Sequence, residues 1–178
     1  TYPYILSKKL PENIFFISSQ ELEDTYKDLD AKERERAIAK DKGAVFIQGI
    51  GGNLNSGEPH DLRSPDYDDW KLNGDIIFWD KIINDSIELS SMGIRVDENS
   101  IVSQCKLTGN EDRLTLPYHR DVIDKNLPYT IGGGIGQSRI CMFFLEKKHI
   151  GEVQVGVWDQ KTMEQAQKDG IVSVSYTH

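Results

Sequence analysis

Cysteine is scarce. Cys105 and Cys141 are the only two in 178 residues, too few for a disulfide framework and without the Cys-x-x-Cys spacing of a thiolate metal site. A reducing compartment is expected, and Cys141, set in an apolar helical run, reads as a small core residue. No apolar run reaches the roughly 18 residues of a membrane span. Basic residues are outnumbered, 21 against 29 acidic, for a net charge of -8. That balance excludes a non-specific nucleic-acid binder, which needs a basic face, but leaves room for a nucleotide in a local positive pocket. A Gly-x-Ser-x-Gly elbow, a His-Glu-x-x-His helix, an EF-hand loop and the Lys-Ser/Thr of a Walker loop are all missing, which argues against the chemistries they carry. His119 and His149 have no obvious nucleophile partner. The start, Thr1-Tyr2-Pro3-Tyr4, has no methionine and resembles neither a signal nor a transit peptide, as expected of a processed, trimmed or incomplete chain.

What is present suits one domain over residues 1–178 with a real core: 38% hydrophobic and 28% charged. The most informative block is Gly132-Gly133-Gly134-Ile135-Gly136-Gln137-Ser138-Arg139. Missing Cβ atoms let backbone approach a ligand closely. The apolar run Ile140–Leu145 that follows predicts a loop feeding a buried helix, with Arg139 in its first turn. The positive end of a helix disfavours a cation, so a guanidinium there points to an anion in the same place, and phosphates suit both partners. The bland alternative is a tight turn and a solvated arginine. A dinucleotide fingerprint is ruled out because Arg139 stands where its third glycine belongs.

Along the chain, residues 13–18 predict a strand. Ser18 with Glu21 and Asp30 with Glu33 are capping-box pairs that start two helices, the second ended by Gly43. Strands are expected at 44–50, 75–80 and 86–96, the last two as an antiparallel pair. Strict alternation puts Glu88, Ser90 and Met92 on one face and Leu89 and Ser91 on the other, unless a bulge intervenes. Helices are expected at 97–107 and 112–125, a final core strand at 152–158 and a closing helix at 161–168. The order favours an α+β fold around a mostly antiparallel sheet flanked by helices.

Two carboxylates lie in apolar surroundings: Asp75 heads Ile-Ile-Phe-Trp, and Glu88 sits between Ile87 and Leu89. Buried charges need partners. One reading is a structural salt bridge, with Arg95 as partner to Glu88. The other is a magnesium site on a triphosphate, since magnesium takes one or two carboxylates plus phosphate oxygens. The cluster Asp66-Tyr67-Asp68-Asp69-Trp70 is a weaker candidate for holding a metal or an amino group, and His60-Asp61 is weaker still.

Five blocks in order resemble the ammonia-dependent asparagine synthetases, the aspartate–ammonia ligases. They are residues 30–41, Ser64 to Trp70, Glu88 to Val96, Gly132 to Arg139, and His149 to Gln154. The resemblance runs from about residue 11 to 158, and the tail from 159 matches poorly. The glycine–arginine block also resembles the third signature motif of class II aminoacyl-tRNA synthetases, to whose catalytic core this family is similar.

The resemblance implies an incomplete class II synthetase-like core matching the C-terminal half of the family. The missing half should supply the second class II motif and much of the aspartate pocket, so the chain alone is not expected to complete the reaction. Where the family carries a longer loop between Trp70 and Leu72, one lysine bridges the gap. The implied reaction joins L-aspartate and ammonia using ATP, through β-aspartyl-adenylate, to give asparagine, AMP and pyrophosphate. By the resemblance Arg139 contacts the triphosphate; Gly132, Gly133 and Gly134 lie along the adenosine; Glu88 and Asp75 sit by the nucleotide and its Mg2+. Leu89 belongs to the same nucleotide-binding stretch. Ser90, Ser91 and Arg95 serve the aspartate and phosphate end, and Tyr67 and Asp68 lie near the ammonia or the amino group. A cytoplasmic homodimer without nucleic-acid or membrane partners is implied. The alternatives are a non-catalytic paralogue binding ATP or an amino acid, and a fragment of a tRNA synthetase core.

Overall fold

In the computed structural model, which describes residues 10–174 and so leaves the Thr1–Tyr4 start outside, both capping boxes close as expected. Strand β1 (Phe15–Ser18) hands directly to helix α1 (Ser19–Thr25). The Glu21 amide donates to Ser18 Oγ (3.2 Å) and the Ser18 amide donates to Glu21 Oε2 (2.9 Å). Helix α2 (Ala31–Lys42) starts the same way on Asp30 and Glu33. It ends at Gly43, whose φ of 81° is one that a side chain disfavours.

The remaining elements are β2 (Ala44–Gln48), β3 (Asp68–Asp80), β4 (Asp85–Arg95), α3 (Ser100–Leu107), α4 (Pro117–Ile123), β5 (Ile131–Ile135), α5 (Gln137–Phe144) and α6 (Gln160–Lys168). Short 3-10 turns cover Glu111–Thr115 and Ile150–Glu152. The helix expected at 112–125 splits because Leu116 precedes Pro117 and is extended (ψ 152°). The five strands form one sheet in chain order, β1 parallel to β2 and every other pair antiparallel.

Residues directly opposite in a ladder share a face. Ile17, Ile47, Asp75, Ser91 and Gly134 pair in turn across all five strands and so form one row. Helices α1 and α2 cover the β1–β2 end of this face, where Ile17, Val45, Ile47 and Ile77 pack with Leu22, Ile38 and Ala39. The opposite face packs Phe78, Ile87 and Leu89 against Met142 and Phe143 of α5. A smaller cluster of Val96, Ile101, Cys105 and Val122 holds α3 and α4 at the side.

Three expectations are corrected. The glycine block is not a loop: Gly132, Gly133 and Gly134 are strand β5, paired with Gly93, Met92 and Ser91. Close approach explains Gly133, since a Cβ there would stand 2.9 Å from Met92 Cβ. Helix α5 is amphipathic rather than buried; Met142 and Phe143 face in, and Cys141 is exposed, not a core residue. The strand expected at 152–158 is absent. Trp158 instead folds back onto His149, with ring centroids 4.9 Å apart, and Val157 is fully exposed.

Candidate active site

β4 carries the decisive local irregularity. Ile76 pairs with Ser90 but Ile77 pairs with Glu88, so Leu89 is an extra, bulged residue. It turns its side chain into the core on the α5 face. Strict alternation is thereby broken. Glu88 leaves the face of Ser90 and joins that of Asp75 and Ser91, so the two carboxylates singled out in the sequence share one face.

A guanidinium stands at each end of this patch. Arg63, from the irregular segment before β3, forms an ion pair with Asp75 and lies 3.4 Å from Ser91 Oγ. Its buried Nε has no hydrogen-bond partner. Burial pushes the Asp75 carboxyl up from its ordinary range and Glu88 adds to this, while Ser91 and Arg63 pull the other way without prevailing. The upward direction holds despite the ion pair because Asp75 is 6% exposed while Arg63 keeps a quarter of its side chain in solvent. Arg139, third residue of α5, turns toward the sheet; its Nη1 lies 3.2 Å from Glu88 Oε1 and 3.1 Å from the Glu88 carbonyl. Both side chains are partly solvated, so the pair holds Arg139 in place at little energetic advantage. Glu88 therefore pairs with Arg139, not with Arg95.

Arg95 stands farther along the same face. It forms an ion pair with Asp68 and lies 3.8 Å over the Tyr67 ring, a cation–π arrangement whose ring is more than half exposed. Gly132 makes room for it, since a Cβ there would collide with the Arg95 guanidinium. A cavity of about 220 Å³ opens beside Arg95, lined by Tyr118, Val122, Tyr129 and Thr130 among others. β3 is distorted here too. Asp68 pairs with Arg95 and Asn73 with Gly93, so four β3 residues oppose one of β4. The lysine that bridges Trp70 and Leu72 falls inside this distortion.

The structure thus gathers Asp75, Glu88, Ser91, Gly134, Arg139, Arg95, Asp68, Tyr67 and Gly132 on one face. The side chain of Ser90 turns elsewhere and donates to the Gly134 carbonyl (2.9 Å); Leu89 offers this face only backbone, and Gly133 points at Met92. The acidic run at 66–69 does not converge. Asp66 takes hydrogen bonds from Ser64 and Arg113 and lies 2.9 Å from His119 Nε2, whereas Asp68 serves Arg95. Burial works upward on Asp66, but those three partners hold it down to about 2. Among the described residues no three His, Cys, Asp or Glu side chains converge on a metal position. Asp75 and Glu88 fit a magnesium ion only in the sense that magnesium asks for one or two carboxylates and completes its shell with phosphate and water. Sequence reasoning missed Arg63, whose polar, turn-rich neighbourhood carries no periodic signal; only the tertiary contact to Asp75 exposes it.

A family model described as aspartate-ammonia ligase matches residues 1–170, so the match extends past 158 into the tail through α6. An aspartate–ammonia ligase of Clostridium perfringens is 60% identical over 170 residues, which is 96% of this chain and 50% of that protein. The chain spans about half the length of the curated relatives it matches. Among solved structures, an Entamoeba histolytica asparaginyl-tRNA synthetase superposes with a TM-score of 0.56 at 16% identity, over 86% of this chain and 38% of its own. The Pyrococcus horikoshii asparaginyl-tRNA synthetase complexed with asparaginyl-adenylate gives 0.54 at 14%, over 80% and 34%. At such identities the likeness is one of fold: a class II synthetase sheet.

Proposed function

The chain belongs to the aspartate–ammonia ligase family, and from that premise we propose that it serves the ATP-dependent conversion of L-aspartate and ammonia to L-asparagine, AMP and pyrophosphate. The observation that carries the reading is the row Asp75, Ser91, Gly134 with Glu88 and Arg139 beside it. A Cβ on Gly134 would meet nothing within 4 Å. Its φ is not positive, so neither packing nor backbone geometry demands glycine there. Space over a strand, between a guanidinium and two carboxylates, suits a nucleotide lying on the sheet.

In this reading the aspartate side-chain carboxylate attacks the α-phosphorus of ATP and expels pyrophosphate; ammonia then attacks the β-aspartyl carbonyl and expels AMP. Charge grows on phosphate oxygens in the first step, and Arg139 and Arg63 face the place where it grows. Both are held by carboxylates, Glu88 and Asp75, that a magnesium ion would also seek. Mg2+ bound by Asp75 and Glu88 would neutralise the triphosphate. Arg95, fixed by Tyr67 and Asp68, orients the aspartate end, and the Asp68 carboxylate is the acceptor nearest an incoming amine. That the synthetase neighbour is complexed with asparaginyl-adenylate supports an aminoacyl-adenylate on this type of sheet.

The proposal extends to a single domain over residues 1–178, equivalent to the C-terminal half of the family's catalytic unit, in a cytoplasmic homodimer. Among the described residues no helix is long and apolar enough to cross a membrane. A non-catalytic nucleotide-binding role is the second reading. Pyrophosphate and asparagine assays on the chain alone, with ATP and aspartate and with or without ammonia, separate the two. The expected result is MgATP binding with no asparagine formed; asparagine appears once a polypeptide equivalent to the other half of the Clostridium perfringens relative is added. Failure to bind MgATP overturns the site. Binding without asparagine even after addition favours the second reading.

A further inference from the structure

The segment 60–70 brings Arg63, Tyr67 and Asp68 to the site, yet before β3 begins at Asp68 it holds no helix or strand, only a turn at 65–67. Two buried histidines stand at its margins. His60 is 4% exposed and its Nε2 lies 3.1 Å from Glu35 Oε1 of α2; Glu35, 6% exposed, also takes the Lys32 ammonium at 3.0 Å. His119 of α4 is 5% exposed and its Nε2 lies 2.9 Å from Asp66 Oδ2. An ionised carboxylate only accepts, so each ring places its proton on Nε2. Nδ1 is then left buried without a partner in both histidines. Such an unpaired atom is unfavourable and asks for a compensating role. The two pairs reach the segment from opposite helices, one ahead of Arg63 and one beside Tyr67.

We propose that these pairs are separate positioning devices: His60–Glu35 sets Arg63 against Asp75 and Ser91, and His119–Asp66 sets Tyr67 and Asp68 around Arg95. The inference rests on reading this face as the ligand site, but its test does not depend on turnover. Phenylglyoxal labelling of the full chain, read by mass spectrometry, reports how far each arginine is shielded. His60→Leu is expected to raise labelling of Arg63 severalfold while Arg95 stays at the wild-type level; His119→Leu is expected to do the reverse. His60→Gln and His119→Gln, which keep an N–H near the lost Nε2, should restore most of the shielding. MgATP affinity, titrated in parallel, should fall about tenfold in His60→Leu, the effect of losing one charge-assisted contact, and less than twofold in His119→Leu.

If both arginines are loosened equally by either change, if neither is loosened, or if the glutamine variants behave like leucine, the proposal falls. Denaturant midpoints are taken for each variant; where a leucine variant does not fold, Glu35→Ala and Asp66→Ala, which remove the acceptor, give the same reading. A wild-type chain that binds no MgATP would remove the proposed function, while the labelling pattern would still decide this point.

Discussion

The two ends of one row across the sheet differ sharply. Ile17 and Ile47 lie under α1 and α2, Ile47 fully buried; Asp75, Ser91 and Gly134 continue the same face with a carboxylate, a hydroxyl and a glycine in place of apolar side chains. A single strand, β3, crosses the boundary: Ile77 belongs to the apolar core and Asp75, two residues back, to the charged patch. Burying an isoleucine contributes about 1.5–3 kcal/mol, whereas a buried carboxylate is retained at an energetic loss unless paired. The apolar end supplies the rigidity, and the charged end uses it. A site built on strands held this way keeps its geometry without drawing stability from its own charges.

The contrast breaks first at its apolar end. Ile47→Ala should destabilise the fold by about 2–5 kcal/mol, read from urea unfolding, while the fraction still folded binds MgATP as wild type does. A small loss would mean that the α1–α2 cover is not the anchor. At the charged end the signs exchange. Arg139→Ala should change stability by no more than about 0.5 kcal/mol, as for other exposed positions, but weaken nucleotide binding by about 1.5–3 kcal/mol for each charge-assisted bond lost. Unchanged binding would take Arg139 out of the site.

Asp66 lies between these extremes, structural yet charged. Its folded pKa of about 2 is below its ordinary value of 3.8, so its ionised form stabilises the fold above the ordinary value. That contribution is lost as pH falls through the folded value. The shift corresponds to about 2 kcal/mol. Asp66→Asn should therefore be less stable than wild type by about that amount at pH 6, with the gap closing between pH 4 and pH 2. A gap that does not close with acid would show that packing, rather than charge, ties Asp66 to Arg113 and His119.

The sequence made legible whatever is local or periodic. The capping boxes at Ser18 and Asp30 fix two helix starts through contacts three residues apart, and strands 44–48 and 85–95 follow from apolar runs. Gly132 to Gly134 reads in the sequence as a loop that brings backbone close to a ligand; in the fold it is a strand, and Gly132 and Gly133 are close to Arg95 and Met92. Glycine has little strand propensity, and only the β4 edge, invisible in sequence, draws it into the sheet. The shared face of Asp75 and Glu88 depends on one bulged residue, Leu89, which looks like any other apolar strand position. Arg63, His60 and His119 act across 12 to 53 residues of chain, and no spacing rule reaches that far. The strand expected at 152–158 failed because alternation in sequence cannot supply a neighbouring edge to pair with.

The finest cut of the comparison falls on Gly134, which ends the row. Gly133 next to it is held by packing, since its Cβ would stand 2.9 Å from Met92; Gly134 is not, because a methyl there enters open space. If the fold alone decided, Gly134→Ala would be neutral or mildly stabilising, by about 0.4–1 kcal/mol, through reduced freedom of the unfolded chain. The methyl would project from the same face as Ser91, into the volume assigned to the nucleotide. The expected outcome is therefore a protein at least as stable as wild type in denaturant that binds MgATP measurably less well. Equal affinity would mean that the nucleotide does not lie over β5, and the glycine would then need an explanation that neither packing nor backbone geometry provides.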